Sequence, residues 1–110
     1  LRERVLKSPA LLESGFEPLA TERSTPAGAI DIYGEDSDGR GVVVELKRRR
    51  VGPDAVGQLD RYVEALARDF HADREIRGIL VAPSATDRAQ ELLARKDLEF
   101  VALEPTADDG

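Results

Sequence analysis

The stretch GAIDIYGEDSDGRGVVVELKRRR, residues 28–50, decides how this chain folds. Ile30 and Ile32 alternate with Asp31 and Tyr33, the period-two pattern of a strand. Val42, Val43, Val44, Glu45 and Leu46 form the most β-prone run in the sequence. Between them, Asp36-Ser37-Asp38-Gly39 is dense in turn formers, so the two strands should make a hairpin. A three-residue loop, Ser37-Asp38-Gly39 with Gly39 in the left-handed region, would close on Asp36 and Arg40. Carried along the strands, that register sets Asp31 against Glu45. Directly opposed residues have Cβ atoms about 4.5–5.5 Å apart on one face. Lys47 shares that face, because side chains alternate along a strand. A two-residue loop would shift the register by one and send Asp31 to the other face.

Two opposed carboxylates repel, so something must offset the cost. A hard divalent cation, Mg²⁺ or Mn²⁺, would do so through Asp31 and Glu45, with water and phosphate oxygens completing its shell. Lys47 beside it could orient a water nucleophile or stabilise charge developing on a phosphate. Metal, water and phosphate together describe phosphodiester hydrolysis. A solvated strand face, with Lys47 as a neutralising neighbour, is the other reading of the same triplet.

Working outward, Leu1, Val5 and Leu6 have helical spacing. Ser8-Pro9 starts a short turn, with Ser8 as N-cap, that stops at Gly15. Residues 16–22 form a strand candidate interrupted by Pro18, and Ser24-Thr25-Pro26 reads as a loop. Downstream, Pro53 opens a helix whose apolar stripe is Val56, Leu59, Val63, Leu66 and Phe70. Residues 76–82 are a continuous apolar strand of the kind buried on both faces. Ser84 with Asp87 resembles a capping box before a helix that runs to about Lys96 and packs Ala89, Leu92 and Leu93. A last strand spans residues 98–103. The order is α-β-β-β-α-β-α-β. Short turns make the first three strands antiparallel and helical crossovers make the later pairs parallel. The expectation is one α/β domain over residues 1–104, a mixed sheet flanked by helices, with a polar tail at 105–110.

A length of 110 residues suits one packed core. The chain begins at Leu1 without an initiator Met, as a piece of a longer protein would. No apolar run approaches the roughly 18 residues of a membrane span. With no Cys there is no thiolate site or disulfide, and a reducing cytoplasm fits. The net charge of −6 argues against a phosphate-rich partner, yet Lys47, Arg48, Arg49 and Arg50 lie in one run. Arg49, on Lys47's side if the strand continues, is the leading phosphate contact of the three arginines. His71 is expected at the surface, and Asp36 and Asp38 are turn formers rather than ligands.

Asp31 followed by Glu45-Leu46-Lys47 resembles the active-site signature of the PD-(D/E)xK nuclease superfamily, with Ile30-Asp31 in place of its Pro-Asp pair. The element order is similar to that superfamily's restriction-endonuclease-like core. More closely, GAIDIYGEDSDGRGVVVELKRRRVGPDAVGQLDRYVEAL resembles the C-terminal catalytic domain of the NucS/EndoMS endonucleases, and the likeness covers nearly the whole chain. It implies that Asp31 and Glu45 are metal ligands and that Lys47 is the catalytic lysine. Gln58 and Tyr62 match the family's Gln-x-x-x-Tyr motif; four residues apart, they stack on one helical face. Arg48, Arg49 and Arg50 become DNA contacts. The superfamily's first-helix Glu is expected just before Leu1, with Glu3 a weaker candidate. The resemblance further implies Mg²⁺ or Mn²⁺, cleavage of mismatched, branched or single-stranded DNA in repair, and homodimerisation through an N-terminal domain. A sliding clamp is a further partner, contacted through regions outside this chain. The alternatives are a catalytically silent DNA-binding module and a restriction-type or exonuclease member of the same superfamily.

Overall fold

Val42, Val43 and Val44 lie at the centre of a five-stranded sheet, and all three are fully buried. The computed structural model describes residues 1–69 and 75–106. Its elements are α1 (Arg2–Lys7), a 3-10 turn (Pro9–Leu11), β1 (Glu17–Thr25), β2 (Gly28–Glu35) and β3 (Gly41–Leu46). Then follow α2 (Pro53–Asp69), β4 (Ile76–Ala82), α3 (Asp87–Arg95) and β5 (Glu99–Ala102). The sheet order is β1-β2-β3-β4-β5, antiparallel across the first three strands and parallel from β3 onward. This is the mixed sheet expected from the sequence.

Both faces are covered, which is why residues 42–44 of β3 and 79–82 of β4 read as unbroken apolar runs. On one face Val43 and Leu80 pack under Val56, Leu59 and Leu66 of α2 and Leu93 of α3. On the other, Val42, Val44 and Val81 pack under Val5 of α1 and Phe16. Fully burying Leu59 or Leu66 contributes about 1.5–3 kcal/mol each, so the α2 stripe is a main source of cohesion. The final position of that stripe, Phe70, lies outside the described residues, as do His71 and most of the expected tail.

The hairpin turn has the expected geometry. Asp36 N–H donates to Arg40 O (3.0 Å), Gly39 N–H donates to Asp36 O (3.0 Å), and Gly39 has φ +82°. The ladder then pairs Glu35 with Gly41, Tyr33 with Val43 and Ile32 with Val44, the register of a three-residue loop.

Some boundaries differ from expectation. β1 extends through Ser24 and Thr25, leaving Pro26-Ala27 as a two-residue turn between Thr25 and Gly28. The Thr25 hydroxyl holds that turn, donating to Gly28 O (2.8 Å) and accepting from Ala27 N–H (3.1 Å). Pro18 does not break the strand, because the register shifts between Pro18 and Ala20 and a bulge absorbs it. Ser8 makes no capping bond. The cap of α3 is Thr86, whose hydroxyl accepts from Ala89 N–H (3.1 Å), and not Ser84. The intervening Val51–Ala85 bridge keeps Ser84 and Ala85 extended, so the helix starts later.

Candidate active site

The site sits where the sheet forks. β2 pairs with β3 only as far as Ile32–Val44, while Gly28, Ala29 and Ile30 pair with β1. Beyond the last rung of the β2–β3 ladder the Asp31 side chain reaches across instead. Its Oδ2 accepts from Leu46 N–H at 2.8 Å. This brings its carboxylate to the end of β3 that carries Glu45.

Glu45 points to the α2 side of the sheet and is only 4% exposed. Its Oε2 is buried with no hydrogen-bond partner. Burial, followed by the hydrogen bond and negative charge of Asp31, pushes the Glu45 carboxyl up to about 8. Lys47 opposes this rise but does not overcome it. A buried carboxylate facing another, with one oxygen unsatisfied, excludes the solvated-face reading. It also fits a divalent-cation ligand, since a cation held there would satisfy the orphan oxygen and cancel the repulsion. Among the described residues no third carboxylate or His joins the pair. Glu3 is exposed on α1, whose Val5 packs on the opposite face of the sheet. The residues present therefore fit a cation that takes its remaining ligands from water and phosphate.

Lys47 is half-buried just past β3, where its N–H donates to Val81 O (2.8 Å). Its ammonium Nζ donates to Gln58 Oε1 (3.4 Å), and Gln58 Nε2 donates to the Tyr62 hydroxyl (2.9 Å). The order follows from chemistry: an ammonium has only donors, so the amide oxygen must face Lys47 and the NH₂ must face Tyr62. Tyr62 is buried, and burial followed by the charge of Glu45 pushes its hydroxyl above the ordinary phenol value, which keeps it un-ionised. Gly28 makes room for it. A Cβ there would stand 3.1 Å from the Tyr62 hydroxyl, and φ +128° suits glycine alone. The five sequence-predicted residues thus converge from β2, β3 and α2.

The arginines do not follow the alternation expected for Arg49. β3 ends at Leu46 and the chain bends, until Val51 is pinned by its N–H to Ser84 O (3.0 Å). Arg48, Arg49 and Arg50 are exposed and together line an open groove of about 710 Å³ beside Lys47 and Gln58. Arg61 of α2 lines the same groove and was not singled out from sequence. Its position three residues after Gln58 was the available signal.

Arg77 was also missed. Its guanidinium is bidentate to Glu13 (2.7 and 2.8 Å), bonds Asp36 at 3.0 Å and pairs with Glu99. This ties the hairpin turn to β4 and β5 at the end of the sheet away from the site. Nothing in the local sequence marks Arg77, since its partners come from three distant segments.

Comparison with known proteins is consistent across sequence and structure. The family model for the endonuclease NucS C-terminal domain matches residues 1–109. Endonuclease NucS 1 of Halobacterium salinarum is 57% identical over 105 residues, 96% of this chain and 44% of that protein. Endonuclease NucS of Thermococcus kodakarensis is 48% identical over the whole chain and 43% of its own length. The repair endonuclease structure from Pyrococcus abyssi superposes with TM-score 0.89 at 42% identity, covering 94% of this chain and 45% of that one. The chain spans less than half the length of these relatives. It belongs to the family of the endonuclease NucS C-terminal domain, with the mixed α/β fold of its solved members.

Proposed function

We propose that this chain is the catalytic domain of a metal-dependent DNA endonuclease. It hydrolyses phosphodiester bonds in mismatched, branched or single-stranded DNA during repair. The observation that carries the reading is buried Glu45, with its unpartnered oxygen, beside the half-buried Asp31 carboxylate and set against the Lys47–Gln58–Tyr62 chain. Membership of the NucS family supports it, and a structure of an EndoMS–dsDNA2 complex resembles this chain with TM-score 0.88 at 47% identity over 94% of this chain and 43% of that one.

Asp31 and Glu45 would hold Mg²⁺ or Mn²⁺, which when bound supplies Lewis acidity toward a phosphate oxygen and a more acidic water. The chain's own groups do the rest. Leu46 N–H fixes Asp31 by one oxygen, leaving the other for coordination. Gln58 holds the Lys47 ammonium in place, so its charge is aimed before substrate arrives and needs no reorganisation. Tyr62, kept un-ionised, anchors Gln58 and closes the inner wall against water. The groove lined by Arg48, Arg49 and Arg50 receives the phosphate backbone. Choice of DNA structure, dimerisation and any sliding-clamp contact are assigned to the rest of the protein.

The test is cleavage by the full-length protein on mismatched, flapped and single-stranded DNA with Mg²⁺ or Mn²⁺. Cutting that disappears in Asp31→Asn and in Glu45→Gln supports the reading. Undiminished cutting by either variant would sink it.

A further inference from the structure

The groove beside Lys47 has two walls. One is the segment after β3 that carries Arg48, Arg49 and Arg50; the other is the start of α2, which carries Gln58 and Arg61. Five cations line it against one carboxylate, Asp54, in a chain whose net charge is −6. The sign of the surface inverts here.

Arg61 is exposed, and no carboxylate among the described residues pairs with it. Arg2, Arg40, Arg77 and Lys96, by contrast, each hold one or more. The Arg61 side chain folds back toward the helix N-terminus and the groove: its Nη1 lies 3.5 Å from where a Cβ of Gly57 would stand. Its charge reaches the Tyr62 hydroxyl, whose ionisation it favours. The guanidinium therefore stands on the α2 wall beside the Gln58–Tyr62 pair, facing the arginines of the opposite wall.

We propose that Arg61 is a phosphate-binding residue that grips the DNA strand from the α2 side, opposite Arg48, Arg49 and Arg50. The nature of the ligand rests on the nuclease reading above; the assignment of Arg61 does not depend on cleavage. Such a contact sets the register of the strand and carries no base information.

The experiment uses full-length protein and a labelled mismatched duplex, with binding followed by fluorescence anisotropy in EDTA across a salt series. Arg61→Gln keeps helix propensity and removes the charge. It should weaken binding about five- to tenfold near 100 mM salt and lower the slope of log K against log salt by about 0.7–0.9. With metal, KM should rise while kcat holds. Arg95→Gln is the control: the same charge is removed from an exposed arginine on α3 that lies outside the groove and pairs with no carboxylate among the described residues. It should change neither quantity. An unchanged slope in Arg61→Gln, or an equal loss in Arg95→Gln, overturns the proposal. A wild type that binds but never cuts defeats the nuclease reading, while the Arg61→Gln slope still decides this one.

Discussion

Glu45→Gln should stabilise the metal-free domain while abolishing its chemistry. In the unfolded chain the Glu45 carboxyl has its ordinary value of 4.5, and in the folded domain it is pushed up to about 8 by burial and by Asp31. Between those values the folded state holds a proton that the unfolded state has released. Stability is therefore complete on the acid side and falls as pH rises through the window. At pH 7 the unfolded side chain is about 2.5 pH units above its own value, and at 1.36 kcal/mol per unit this costs the fold about 3 kcal/mol. Because the two carboxyls interact, the proton belongs to the Asp31–Glu45 pair as a whole. Glutamine is neutral throughout and can still donate to Asp31. Urea unfolding of the domain in EDTA, followed by far-ultraviolet circular dichroism from pH 5 to 8, is the assay. The variant should exceed the wild type by no more than about 1 kcal/mol near pH 5 and by about 3 kcal/mol at pH 7, the latter about 10 °C or more in Tm. Excess Mn²⁺ should restore the wild type and leave the variant unmoved, because a ligand stabilises only a fold that binds it. A wild type equally stable at pH 5 and pH 8 without metal would refute the reasoning.

Four further outcomes rest on the same geometry. Lys47→Ala should lower kcat by about 10²–10³, more than it weakens DNA binding, since it removes charge aimed at the transition state; single-turnover cleavage checks it. Arg77→Met strands Asp36 and Glu13 and should cost about 2 kcal/mol of stability without altering cleavage well below the melting point, compared by urea unfolding and rate. In the wild type Glu13 is lowered chiefly by Arg77. Asp36 is lowered by Arg40 N–H and Arg77 despite its burial, so their stabilisation should fade as pH falls below about 4. Gly28→Ala places a methyl against the Tyr62 hydroxyl at φ +128° and should cost about 1–3 kcal/mol. If it cuts at the wild-type rate, Gly28 is not what seats Tyr62.

Much of the fold was legible because its signals are local. Turn chemistry at Asp36-Ser37-Asp38-Gly39 set the hairpin register, and period-two and helical apolar patterns marked β2, β3, α2 and β4. The errors fell where a neighbour decided. The Val51–Ala85 bridge moved the α3 cap from Ser84 to Thr86, and the Thr25 hydroxyl turned an expected loop into strand and tight turn. The five candidate site residues could be named from spacing and resemblance. Their wiring could not.

By itself the sequence determined that one hairpin carries two carboxylates and a lysine on a common face once its turn is read as the three-residue loop that Gly39 favours, because strand alternation then fixes the register. Tertiary structure alone decided that the site is a fork rather than a continuous ladder. There the Asp31 carboxylate, not its backbone, meets Leu46 N–H. It also decided that the Gln58 amide bridges Lys47 to Tyr62, that Arg61 joins the cationic groove, and that Arg77 ties the hairpin turn to β4 and β5 at the other end of the sheet. The reason is physical: register follows from neighbouring residues, whereas burial, unpaired oxygens and the sign of a groove arise only when distant segments meet.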